Sequence, residues 1–320
     1  MNKSILLATL MMLTMSLLLA LGLVTVSAAA GAGTEPRVTA RPNSPPAGED
    51  SLQLTSTFPY TIYLPTVYGV IPFNSKKGFG GRGPACADLT PLKSSWHLNW
   101  STQPDPSCAA AEKGFVPRIS KASDMAKLSQ AVANAQPSGW LIGFTEPDLP
   151  WQGNLSPAQA ATYWRQLEQA AVGIKLVSPS PSQHGPGWLW QMVDAYRNQY
   201  GKNPRFDAIG WNIYKREPKD IQSFLTTRRN EAVARGYTVP IWVLEYGGEC
   251  WNSASGKTGN ETIMTTITPW FDTTSWIGRY AWFANRINPG ESDLPGWQSC
   301  TLVNGSNGQL TKLGNLFRNY

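Results

Sequence analysis

WLIGFTEPD, residues 140–148, is an apolar run that stops at a carboxylate, Glu146, with Pro147 directly after it. IWVLEYGG, residues 241–248, repeats the plan with Glu245. Such runs of Trp, Leu, Ile, Val and Phe read as strands covered on both faces, and a glutamate where a buried strand runs out needs a reason. In a parallel barrel that reason is often catalysis, because the carboxyl ends of the strands build the active site. Two glutamates, each on its own strand end, are the equipment of a glycosidase.

Outward from these two stretches, short apolar runs alternate with amphipathic ones, the mark of a parallel sheet with crossover helices. Strands are expected at 95–100, 114–119, 140–145, 174–178, 206–214, 240–245 and 278–284, and helices at 123–135, 156–172, 187–200, 219–235 and 262–271. The helix at 156–172 is the clearest, with Ser156 and Pro157 at its start and Tyr163, Leu167 and Ala170 down one side. An eighth strand, at 76–80 or between 119 and 140, completes a (β/α)8 TIM barrel. The alternative is an open doubly wound sheet, but no glycine-rich phosphate loop follows an early strand.

The chain has 320 residues, room for one barrel. With 42% apolar and 15% charged residues it is folded and globular, and its 14 Trp and 11 Tyr supply flat surface of the kind on which sugar rings stack. Trp188 and Trp190, near a strand-end loop, exceed what packing usually demands. The formal charge of +6 is scattered, with no basic block, so nucleic acid is a poor partner. His97 and His184 are the only histidines and no Cys/His cluster exists, which argues against a transition-metal site, and no cofactor is implied.

Residues 1–30 carry Lys3, an apolar stretch and a small-residue ending at Ala30, and read as a secretory signal; the rival reading is an uncleaved anchor. Residues 31–57 are rich in Gly, Pro, Thr and Ser and read as a disordered tether. The aromatic, proline-broken stretch 58–72 reads as an edge strand at the start of a domain running over 58–320. The expected product is a secreted monomer, free of the membrane once the signal is removed. Cys86, Cys108, Cys250 and Cys300 form an even set in an exported chain, which makes disulfides the default. Of three connectivities, Cys86–Cys108 with Cys250–Cys300 closes the most moderate loops.

WLIGFTEPD with the SPAQAATYW helix after it, then LVSPS, DAIGWNIY, IWVLEYGG and RYAWFANR in that order, resembles glycoside hydrolase family 128 over residues 76–320. The resemblance implies a clan A (β/α)8 barrel whose acid/base ends the fourth strand and whose nucleophile ends the seventh, acting on β-1,3-glucan. Carried over, Glu146 matches the acid/base and Glu245 the nucleophile. Two positions depart from the family pattern: Thr145 stands where Asn usually precedes the acid/base, and Asn212, Ile213 and Tyr214 stand where the sixth strand usually reads His-Trp-Tyr. The family's Asn holds the sugar's 2-hydroxyl; Thr145 still offers a hydroxyl, with shorter reach. Tyr214 keeps the position that orients the nucleophile.

Trp96, Asn99 and Trp100 at one strand end, and Trp282 on the last strand, are candidates for a sugar platform and its polar edge; the rival reading is core packing. His184, in the loop SPSPSQHGPG, falls on the face where substrate should lie, and Asp148 is assigned to loop structure. Other readings are a secreted carbohydrate-binding protein on a barrel that has lost catalysis, a structural envelope protein, and a glycanase for a different β-glycan.

Overall fold

The computed structural model describes residues 74–320 except 110–113, 252, 289–293 and 295. The expected signal, tether and edge strand at 1–72 lie outside the described residues. Among the described residues no helix is long and apolar enough to cross a membrane.

The strands are β1 (Asn74–Gly80), β2 (Ser94–Leu98), β3 (Phe115–Val116), β4 (Trp140–Ile142), β5 (Lys175–Val177), β6 (Ile209–Tyr214), β7 (Ile241–Gly247) and β8 (Ile277–Trp282). The helices are α1 (Ala85–Asp88), α2 (Leu128–Ala135), α3 (Pro157–Ala170), α4 (Trp188–Tyr200), α5 (Pro218–Ala234), α6 (Ser253–Thr273) and α7 (Lys312–Arg318). Every strand pairing is parallel. Six strands form one sheet in the order β3-β2-β1-β8-β7-β6, and β4 and β5 form a second. Single parallel bridges join the two at both seams, Arg118 with Ile142 and Val177 with Ala208, so neighbour follows neighbour around all eight strands. The ring is thus a six-stranded and a two-stranded sheet bridged at two points rather than one continuous ladder. At the first seam Pro117 follows β3; it accepts from the Ile142 amide but has no amide of its own to donate.

The eighth strand is β1, and its sequence NSKKGFG hides it. Lys76 Nζ donates to the carbonyls of Phe271, Asp272 and Thr274 at the end of α6, within 3.0–3.1 Å. Lys77 is fully buried and donates to the carbonyls of Phe317 and Tyr320 at the end of α7. Both ammonium groups therefore cap helix C-termini, where the dipole favours a cation. Burial pushes the Lys77 amine down to about 8.

Local chemistry explains α3: Ser156 Oγ accepts from the Gln159 amide while Gln159 Oε1 accepts from the Ser156 amide, a reciprocal cap with Pro157 in the first turn. Its buried side is Ala160, Ala161, Trp164 and Leu167, which corrects the expected stripe: Tyr163 is half-buried and Ala170 exposed. The helix expected at 262–271 is longer, because α6 begins in a polar, glycine-containing stretch that carries no apolar period.

Inside the ring, Trp96, Leu98, Val116, Ile142, Val177, Ala208, Trp242, Leu244 and Ala281 form a cluster of their own. Gly78 and Gly210 make room for it: a Cβ at Gly78 would lie 2.5 Å from the Trp96 indole, and one at Gly210 2.7 Å from Leu244 Cδ1. The Arg279 guanidinium lies 4.6 Å from the Trp242 ring and 5.3 Å from that of Trp96, a cation–π contact beneath this core.

The loops after β1 and β8 are tied by a buried carboxylate. Asp88 accepts from Arg286 Nε and Nη2 at 2.8 and 2.7 Å and from Asn285 Nδ2 at 2.7 Å. Asp88→Ala strands the Arg286 guanidinium and leaves Asn285 Nδ2 only the Arg82 carbonyl, and we expect a loss of about 3 kcal/mol, read as a lowered denaturation midpoint in urea.

Candidate active site

The strand ends converge on one cleft of about 710 Å³, lined among others by Trp100, Thr145, Glu146, His184, Tyr214 and Glu245. Glu245 is within β7 and buried. Its Oε1 accepts from Trp100 Nε1 at 2.9 Å, its Oε2 accepts from the Tyr214 hydroxyl at 2.8 Å, and Arg118 Nη1 stands 3.8 Å from Oε1. Arg118 is itself fully buried. Its Nε and Nη2 donate to the carbonyls of Gly143 and Phe144 and to Ser180 Oγ, which fixes the plane of the guanidinium beside the carboxylate. Burial pulls the Arg118 guanidinium down to about 10, against the opposing pull of Glu245 and Glu146.

Glu146 stands four residues beyond β4 with φ of +37°, a left-handed backbone that costs a side-chain-bearing residue strain. The strain is held by pairing on both sides: its amide donates to the Ser180 carbonyl at 2.9 Å, and its carbonyl accepts from the Leu149 amide at 3.0 Å. Among the described residues the Glu146 carboxylate accepts one bond, from Asn212 Nδ2 at 3.2 Å. Asn212 faces Glu245 in the β6–β7 register, so one amide residue stands between the two acids.

The two carboxyl groups are both raised, but by different surroundings. Burial first, then the Glu245 charge, raises Glu146 to about 7, with Asp148 adding to the rise and Asn212 and Arg118 opposing it. Burial also pushes Glu245 up, but Arg118 and the hydrogen bonds from Trp100, Tyr214 and Asn212 pull it back. Three of those partners are donors, and hydrogen bonds and a cation of this kind favour the charged form of Glu245 over that of Glu146, which has a single amide. Tyr214 keeps its proton, because burial and both carboxylates raise it far above its ordinary value.

A family model described as "Glycosyl hydrolase catalytic core" matches residues 80–317. The chain belongs to this family of glycosyl hydrolases. Its fold matches a glycoside hydrolase family 128 (subgroup II) endo-β-1,3-glucanase from Pseudomonas viridiflava, 26% identical, with a TM-score of 0.62 over 76% of this chain and 96% of that one. It also matches a subgroup III curdlan-specific exo-β-1,3-glucanase from Blastomyces gilchristii in complex with glucose, 22% identical, with a TM-score of 0.62 over 78% of this chain and 100% of that one. A subgroup I endo-β-1,3-glucanase from Amycolatopsis mediterranei in complex with laminaritriose is 24% identical, with a TM-score of 0.60 over 77% of this chain and 99% of that one. Among curated proteins it is similar to "Alkali-sensitive linkage protein 1" of Schizosaccharomyces pombe, 26% identical over 231 residues, 70% of this chain and 40% of that protein. The chain thus spans less than half the length of that relative.

In this glycosyl hydrolase the residues singled out from sequence fall into two groups. Glu146, Glu245, Thr145, Trp100, His184 and Tyr214 line the cleft, and Asn212 bonds into it. Trp96, Asn99 and Trp282 do not line it. Trp96 is buried in the ring core, with Nε1 donating to the Lys76 carbonyl at 3.0 Å. Trp282 is fully buried against Tyr246, with Nε1 donating to the Cys300 carbonyl, so neither indole offers a face to a sugar. Asn99 spends its amide within its own loop, on the Gln103 carbonyl and the Ser101 amide. Trp188 and Trp190 are buried as well, donating to the Leu155 carbonyl and to Glu231, so they are packing after all. Asp148 accepts from the Ser182 amide and hydroxyl and shapes the His184 loop.

Trp100 and Tyr214 share the aromatic surface of the cleft with residues not singled out from sequence: Trp151, Trp251, Trp297 and Phe283. Trp151 is 76% exposed and Trp251 45%. Each follows a strand-end glutamate, by five and six residues respectively, and that spacing is the signal by which they could have been found. Arg118 was legible too, as a lone cation closing the apolar run GFVPRI. The disulfides are Cys86–Cys108 and Cys250–Cys300, the pairing expected.

Proposed function

We propose that this glycosyl hydrolase is an exported enzyme that cleaves β-1,3-glucan with retention at the anomeric carbon. The observation that carries the reading is the unequal provision of the two carboxyl groups: three donors or cations on Glu245, one amide on Glu146. Glu245 attacks the anomeric carbon, and the glycosidic bond breaks as Glu146 delivers its proton to the leaving oxygen. Glu146, now ionised, takes a proton from water, which displaces Glu245 and releases the sugar. Trp100 and Tyr214 hold the attacking oxygens in line, and Arg118 keeps the attacking group anionic.

Thr145 Oγ1 and Asn212 Oδ1 support the reading from the substrate side. Both atoms are buried without a hydrogen-bond partner, a costly arrangement that a sugar hydroxyl would relieve. The β-1,3-glucan preference is taken from the named activities of the structural relatives. Export is supported by the two disulfides, which persist in oxidising compartments.

The test is product release from a panel of soluble β-glucans and β-mannans by the purified chain. We expect oligosaccharides from β-1,3-glucan, with the β-anomer released first when the product is followed by NMR. Release from a mannan or a β-1,4-glucan alone would move the assignment to another glycan, and the α-anomer first would refute the double displacement.

A further inference from the structure

Five residues past Glu245 the chain reaches Cys250, with Trp251 next to it, while Cys300 closes the short turn that begins at Trp297. The Cys250–Cys300 disulfide thus joins the loop after β7 to the loop after β8, directly beneath two cleft-lining tryptophans. Both cysteines are fully buried, whereas Trp251 is half exposed and Trp297 partly so.

The rings above the disulfide form a continuous wall. Trp251 and Trp297 lie 5.3 Å apart at 48°, and Trp297 meets Phe283 edge-on at 5.3 Å and Tyr214 edge-on at 5.6 Å. The wall therefore ends on the tyrosine whose hydroxyl holds Glu245. Its underside is cross-braced: Ser299 Oγ donates to the Cys250 carbonyl at 2.9 Å, Asn260 Nδ2 donates to Ser299 Oγ at 3.2 Å, and Asn260 Oδ1 accepts from the Gly248 amide at 2.9 Å. Gly247 lies close over the disulfide, since a Cβ there would come 3.2 Å from Cys250 Sγ and 3.5 Å from the Tyr214 ring. Among the described residues no strand ladder ties Trp251 to Trp297, so their relative placement depends on the disulfide, these side-chain bonds and the ring contacts, Trp251 with Tyr214 among them.

We propose that the Cys250–Cys300 disulfide is a positioning device for substrate: it holds Trp251 and Trp297 as one stacking wall for the apolar face of a pyranose ring, and so sets affinity for the longer glycans. This rests on the glucanase reading above. A sugar bound at the wall lies beyond the carboxylates, so the wall acts on binding and leaves bond cleavage to Glu146 and Glu245. Two loose tryptophans would each have to be ordered as the glycan binds, and that entropy would be subtracted from the affinity.

The test compares wild type, Trp251→Ala, the Cys250→Ala/Cys300→Ala pair and the triple variant on laminari-oligosaccharides of increasing length. Tryptophan fluorescence titration with the same sugars reads binding separately. We expect Trp251→Ala to raise KM for the longest sugars roughly tenfold and for the shortest by less than about twofold, with kcat little changed. The cysteine pair should give the same length-dependent pattern, and adding Trp251→Ala to it should cost little more, because the two changes remove one contact. Unchanged KM in Trp251→Ala would overturn the wall. A cysteine pair that lowers kcat equally at every length, or whose effect simply adds to that of Trp251→Ala, would overturn the positioning role. If wild type cleaves no β-1,3-glucan the glucanase reading falls; quenching by other β-glycans that Trp251→Ala abolishes would still uphold the wall, and equal quenching in both would refute it.

Discussion

Glu245→Gln is expected to lower kcat on β-1,3-glucan by at least ~10⁴-fold, with the substrate still bound, because under the proposed mechanism it removes the attacking oxygen rather than a contact made in the ground state. The variant should keep its fold. Gln is the same shape, and its one carbonyl oxygen still accepts from either Trp100 or Tyr214. The loss is localised further by Glu245→Ala with azide, a small nucleophile that fits the space vacated. Azide attacking from the opened face should yield a glycosyl azide of inverted configuration. Kinetics of oligosaccharide release, with product analysis in azide, make the measurement; activity within tenfold of wild type would exclude Glu245 as nucleophile.

Glu146→Gln removes the proton donor, and the expected loss is ~10³-fold on glucan, within the range typical of general acid catalysis. The loss should nearly vanish for the first step with a dinitrophenyl glycoside, whose leaving group needs no proton, so a burst of phenolate is expected before slow turnover. The pH profile carries the same signature. With Glu146 raised to about 7, wild-type kcat/KM should fall as pH climbs past neutrality, and Glu146→Gln should lose that limb. Stability moves with it. Between the ordinary carboxylate value of 4.5 and about 7 the folded chain binds more protons at Glu146 than the unfolded chain does, so this group's contribution declines as pH rises through that window. Above pH 7 the Gln variant should therefore melt higher than wild type, the mark of a residue kept at a cost in stability. A Glu146→Gln enzyme with the wild-type alkaline limb would assign the acid elsewhere.

Which of these groups could be read from the chain depends on the range of the physics involved. An apolar run broken by Glu and Pro is a local pattern, and it located Glu146 and Glu245 without any knowledge of neighbours. The cap at Ser156, Pro157 and Gln159 is equally local, and α3 was found close to its true bounds. β1 was harder, because a strand is recognised by its apolar residues and NSKKGFG spends two positions on lysines. Their targets are helix ends some 195 to 243 residues away in sequence.

The tryptophans mark the limit. Composition promised aromatic surface, but Trp looks the same whether it fills a core or faces a sugar. Trp96 and Trp100 are four residues apart, and the direction of each depends on the strand's register and on where it ends. Trp96 falls inside the ring because Gly78 on the neighbouring strand leaves space for its indole, and Trp100, past the strand end, turns to donate to Glu245.

By itself, then, the sequence determined the alternation of strands and helices, the two carboxylates at strand ends and an even set of cysteines, since each is written in neighbouring residues or in composition. Only the tertiary structure decided which side chains meet: Arg118 beside Glu245, Asn212 between the acids, and Trp251 with Trp297 above a disulfide. Those contacts join residues brought together by the closing of the strands into a ring, and the same closure buries them. Burial is what raises Glu146 to about 7 and pushes Glu245 up against the pull of its donors, a difference in setting that two identical side chains cannot announce in sequence.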